Sequence, residues 1–162
     1  MVLDSDIGTA MTIESISWMY VNLDPNAVCE GFTLHLGYCA DDVLDLDFDA
    51  NWVPGSKTLV YSADPLDITA AGPETWVTLD LDEPFWYNGV DNLLIDVQWN
   101  NSGSDNSFYA AHWVAGDDRA LFEYNTPSYV HTTAPFVPYM TLLGELDLQQ
   151  DTFAGIKVLL GD

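Results

Sequence analysis

The sequence has almost no positive charge. Lys57, Arg119 and Lys157 stand against 26 acidic residues, which gives a formal net charge of -23. Nucleic-acid binding needs a basic footprint, and this chain has none. An anionic membrane surface would repel it for the same reason. No apolar run approaches the ~18 residues of a membrane-spanning helix. Residues 1–11 lack the basic start and apolar stretch of a secretion signal, as expected of a domain excised from a longer secreted chain. The sequence has no glycine-rich phosphate loop, no GxSxG elbow and no HExxH zinc motif. His35, His112 and His131 are scattered, without ligand-like spacing. We therefore expect no enzymatic activity.

Cysteine is also scarce. The segment between Cys29 and Cys39 reads as one strand, and ten extended residues span roughly 33 Å. That is far beyond disulfide reach, so free thiols are expected unless a turn brings the ends together. With no CxxC pair, zinc and thioredoxin-like readings have no support.

What the chain does have is apolar and aromatic substance. Hydrophobic residues make up 48% and aromatics 13%, too much for disorder despite the acidity. Its 162 residues correspond to a single domain, 1–162. The apolar residues recur with period two. Ile16, Trp18 and Tyr20 alternate with Ser15, Ser17 and Met19. The same holds for Phe32, Leu34, Leu36 and Tyr38, for Val77, Leu79 and Leu81, and for Leu93, Ile95, Val97 and Trp99. Each run places one face in a core and the other in solvent, as antiparallel sheets do. Further strands are expected at 58–62, 107–114, 120–124, 139–146 and 153–160. Turn signals separate the runs, among them Pro54-Gly55, Asp64-Pro65, Asn88-Gly89 and Gly116-Asp117. Residues 125–138 read as a long loop rich in Pro and Thr. The expected fold is an all-β, antiparallel two-sheet β-sandwich, jelly-roll-like.

The densest acidic stretch runs from Asp41 to Asp49. Read as a strand, it puts Asp45, Asp47 and Asp49 on one face and Leu44, Leu46 and Phe48 on the other. Hard carboxylate oxygens at this density suit calcium. The stretch is not an EF-hand loop, because Ala50 and Ser56 stand where that loop needs glycine and glutamate. The plainer reading is a charged edge strand that discourages unwanted pairing. Neighbouring carboxylates ~7 Å apart would repel by only about 0.6 kcal/mol in water, so no metal is required. Asp91, Asp117 and Asp118 are further calcium candidates at turns, where an Asp more often bonds its own backbone. A glycosidase reading fails because the alternating stretch carries only Asp where sandwich glycosidases place catalytic glutamates.

Six tryptophans are present. Trp18 and Trp99 share the inward parity of their strands and are expected in the core. Trp52, Trp86 and Trp113 lie near turns or on the opposite parity, which makes them candidate stacking platforms for a sugar.

The segment Pro84-Phe85-Trp86-Tyr87-Asn88-Gly89-Val90-Asp91-Asn92-Leu93, with Trp76-Val77-Thr78-Leu79 before it, is the most distinctive in the chain. Together with the Asn/Ser/Gly loop at 100–104, Arg119-Ala120-Leu121 and Phe32 to Gly37, it resembles β-sandwich modules of large bacterial secreted and surface proteins. The resemblance covers about residues 12–145. It implies an extracellular or cell-surface location and brings no catalytic residues with it. Within the motif, Pro84 suits an edge or turn, Phe85 and Tyr87 have core parity, and Asn88-Gly89 signals a tight turn.

Residues 151–162 follow a polar break at Gln149-Gln150 and read as a detachable terminal strand. Such a strand commonly completes its own sheet, but it can instead pair with the sheet edge of a neighbour. The function expected from the sequence is a non-catalytic structural or surface module, a subunit of a cation-stabilised filament or assembly. Its partners would be copies of itself or neighbouring surface-protein domains. The alternative is a carbohydrate-binding module using the exposed tryptophans.

Overall fold

The computed structural model describes residues 1–21, 26–100, 110–124 and 130–146. The chain opens on a four-residue helical turn, α1 (Asp4–Ile7), closed by Gly8 in the left-handed conformation. Among the described residues every later regular element is a β-strand, apart from a 3₁₀ turn at Asp49–Asn51. The strands are β1 (Met11–Tyr20), β2 (Asn26–Cys29), β3 (Phe32–Cys39), β4 (Thr58–Ala63), β5 (Leu66–Thr69) and β6 (Thr75–Tyr87). They continue with β7 (Asn92–Gln98), β8 (His112–Val114), β9 (Ala120–Tyr124), β10 (Val130–Ala134), β11 (Phe136–Pro138) and β12 (Met140–Leu146).

All pairings are antiparallel, so the all-β class expected from the sequence is the one observed. Among the described residues the strands form two three-stranded sheets, β12-β1-β6 and β4-β3-β7, and three two-stranded pairs, β2-β5, β8-β11 and β9-β10. Both larger sheets and the β2-β5 pair feed one apolar cluster. Ile13, Ile16, Leu34, Leu36, Val60, Tyr87 and Leu93 are fully buried there. Each such aliphatic side chain contributes roughly 1.5–3 kcal/mol on leaving water. A smaller cluster holds Cys39, Leu44 and Leu94, with Trp52 and Leu121 packed against it. Cys29 lies in the larger cluster and Cys39 in the smaller one, and both are buried free thiols.

The central strand β1 is irregular on both edges. Against β12 the register shifts between Ile13 and Ser15, leaving Glu14 as an extra residue. Against β6 the shift at the same place leaves Leu81 to Pro84 without partners in β1. Pro84 has no N–H to give a ladder, which suits that position. Asp82 in this detour instead accepts the backbone N–H of Ser62 on β4 at 3.1 Å, tying β6 to the other large sheet. Between β1 and β6, the hydroxyls of buried Ser17 and of Thr78 are 2.8 Å apart.

Three sequence expectations are corrected here. Asp45, Asp47 and Asp49 do not share a strand face, since residues 40–52 form a loop with the 3₁₀ turn. The part of the expected loop 125–138 that the structure describes contains β10 and β11. Trp99 lies just past the end of β7 and is 47% exposed, so its strand parity does not carry it inward. The expected terminal strand at 151–162 lies outside the described residues.

Candidate functional site

The acidic loop is held by its own backbone bonds. The Asp47 N–H donates to Asp45 Oδ1 at 2.8 Å, and the Asp49 N–H to Asp47 Oδ1 at 3.0 Å. Buried Asn51 closes the loop. Its Oδ1 accepts the Asp45 N–H, and its Nδ2 donates to the carbonyls of Asp45 and Asp47 at 2.9 and 2.8 Å. Alternation of Asp and apolar residues here therefore reflects a series of side-chain-to-amide turns. Two acidic segments do meet, because the Leu44 N–H donates to the Asp118 carbonyl at 3.3 Å. Asp118 accepts the Thr133 hydroxyl, and Asp117 is exposed at the same turn. Asp91 lies elsewhere, at the turn after β6, where it accepts Asn88 Nδ2 at 2.7 Å. Among the described residues, no three His, Cys, Asp or Glu side chains converge on a point a metal could occupy.

The structure separates the three candidate platforms. Trp52 packs on the backbone of Gly37, and the Lys57 ammonium lies 4.8 Å from its ring centroid. It is a partly buried core component and presents no open platform. Trp86 is 49% exposed on β6, where its carbonyl accepts the Tyr38 hydroxyl. It does not line the cleft described next. Trp113 does, and it is 37% exposed.

That cleft lies between α1, the β8-β11 pair and the start of β12; it is broadly open to solvent, with a volume of about 460 Å³. Met11 and Val137, both buried, form its floor. Trp113, Tyr139, Thr141 and Asp6 stand around it. Beside it, Arg119 donates to Asp6 Oδ2 at 2.8 Å and lies 5.6 Å from the Trp113 ring centroid. The arrangement repeats at Lys57, which pairs with Asp96 at 2.8 Å while covering Trp52. Lys57 and Arg119 thus each bridge one carboxylate and one indole. Scarce positive charge is spent on fixing tryptophans.

Other titratable groups sit apart from the cleft. Burial lowers the pKa of His35, Lys57 lowers it further, and Asp96 partly opposes both. Burial raises Tyr87 to about 12, with Asp4 and Asp91 adding to the effect. His112 is exposed on β8, its ring 4.3 Å from that of Phe136. No family model, curated protein or solved structure matches this chain.

Sequence reasoning named Trp113 but missed Asp6, Arg119, Tyr139 and Thr141. The one available signal was the Arg119 cation in so acidic a chain.

Proposed function

We propose that the chain is a non-catalytic structural module of an extracellular or cell-surface assembly, joined to copies of itself or to neighbouring domains by strand addition along β12. The carrying observation is the open edge of β12, which among the described residues pairs with β1 alone. Edge strands are normally blunted by Lys, Pro or inward charge. β12 has neither Lys nor Pro, and it leaves Leu143 49% and Leu146 57% exposed. Among the described residues no second strand pairs with this edge, so its backbone donors and acceptors lie beside apolar side chains, as strand addition requires. The resemblance of residues 12–145 to surface-protein sandwich modules supports the same reading.

Copies carrying a net charge of -23 repel one another, so assembly requires screening or a shared divalent cation. Calcium in this role bridges acidic surfaces between copies. Sedimentation velocity with calcium, and then with excess chelator, tests it. Large species that form with calcium, and fall apart with chelator or with Leu143→Lys, are expected. A monomer under both conditions would overturn the reading.

A further inference from the structure

We propose that the cleft beside Trp113 binds a neutral saccharide. This goes beyond the assembly reading and does not rest on it. The cleft volume, about 460 Å³, falls within the roughly 300–1,000 Å³ of small-ligand sites. Its floor is apolar, and its rim carries an aromatic ring with polar groups still free to bond. Among the described residues, nothing bonds the Trp113 indole N–H, the Tyr139 and Thr141 hydroxyls or Asp6 Oδ1.

Charge decides the ligand class. The overall charge of -23 disfavours an anion. A cation finds no unpaired carboxylate among the described residues of the lining, where Asp6 alone is charged and Arg119 already neutralises it. A wholly apolar ligand would strip water from the rim hydroxyls and the Asp6 carboxylate without replacing their bonds. A pyranose satisfies every demand. Its C–H face suits the indole and the apolar floor, and its hydroxyls suit the polar rim. Arg119, with only 12% of its side chain exposed, holds the indole in place before the ligand arrives. That removes an ordering cost from binding.

Affinity electrophoresis in gels containing neutral polymers (β-glucan, mannan, xylan or galactan), anionic polygalacturonate or cationic chitosan tests the site. Retardation by at least one neutral polymer is expected. Trp113→Ala should then weaken binding about tenfold or more, equivalent to ~1.4 kcal/mol. Trp113→Phe, which keeps a ring, should retain most of it, and Tyr139→Ala should weaken it. Trp86→Ala, outside the cleft, should leave it unchanged. Circular dichroism verifies that each variant is folded, and if Trp113→Ala is not, Tyr139→Ala and Trp113→Phe decide. The proposal is overturned if no neutral polymer retards the protein or if chitosan alone does. It is also overturned if folded Trp113→Ala binds as tightly as the parent, or if Trp86→Ala loses binding equally.

Discussion

Trp52 rests on Gly37 so closely that a Cβ at Gly37 would lie 2.7 Å from a ring carbon and 3.0 Å from the Ser56 carbonyl oxygen. Gly37 sits within β3 with ordinary strand geometry, so its lack of a side chain serves the ring and not the backbone. Gly37→Ala should lift Trp52 and disturb the Lys57 ammonium above it. We expect a loss of about 1–3 kcal/mol, measured by urea denaturation, with a shift in tryptophan emission.

A second glycine answers to backbone alone. A Cβ at Gly144 would stand 1.7 Å from the Thr12 carbonyl oxygen, opposite the extra residue Glu14 in β1. A ladder carbonyl cannot rotate aside as a side chain can. Gly144→Ala should therefore lower stability by more than about 3 kcal/mol. Gly116→Ala, where nothing lies within 4 Å, should stay within about 0.5 kcal/mol. Equal melting temperatures for the two variants would refute the account of the β1 irregularity.

Asn51 makes three hydrogen bonds with one side chain. Asn51→Ala leaves the Asp45 amide and the Asp45 and Asp47 carbonyls without their side-chain partner, at a loss of about 1–2 kcal/mol. Amide hydrogen exchange should quicken at Asp45, Asp47 and Asp49 before it does anywhere in β3.

Tyr87 is fully buried, and its hydroxyl has no described partner. Its pKa is raised to about 12, whereas in the unfolded chain it titrates near 10. The folded state therefore keeps a proton that the unfolded chain gives up. The stabilisation is complete below pH 10 and is lost as pH rises towards 12. Tyr87→Phe should remove this alkaline dependence. At pH 7 it should be neutral or stabilising by up to about 1–2 kcal/mol, because an unpaired buried hydroxyl disappears. Chemical denaturation of both proteins at pH 8 and pH 11 checks the sign.

Long strands were legible because their residues alternate over enough positions to show a period. The alternating residues Ile16, Trp18 and Tyr20 of β1, Phe32, Leu34 and Leu36 of β3 and Leu93 of β7 are buried as that period implies, although Ser15, Ser17 and Leu94 on the opposite parity are buried as well. Four-residue β2 and β5 show too little of a period, and Pro135 and Pro138 disguise β10 and β11 as a loop. The acidic loop misled for a different reason. Asp at every second position fits a strand face, yet it fits equally well a chain of carboxylates each turned onto the amide two residues on. Parity also fails where a strand stops, as at Trp99. The cleft was illegible because Asp6, Trp113 and Tyr139 come from segments far apart in sequence, and only tertiary pairing brings them together.

The two cysteines have a consequence for how the molecule breathes. One thiol lies in each apolar cluster, and burial pushes both above the ordinary range, so neither is a thiolate at neutral pH. Neither reacts until its own cluster opens. The protein thus carries two native clocks, and the trapping rate at Cys29 times one cluster while that at Cys39 times the other. A single shared rate would mean that the whole structure opens as a unit, and two rates would mean that its halves open independently.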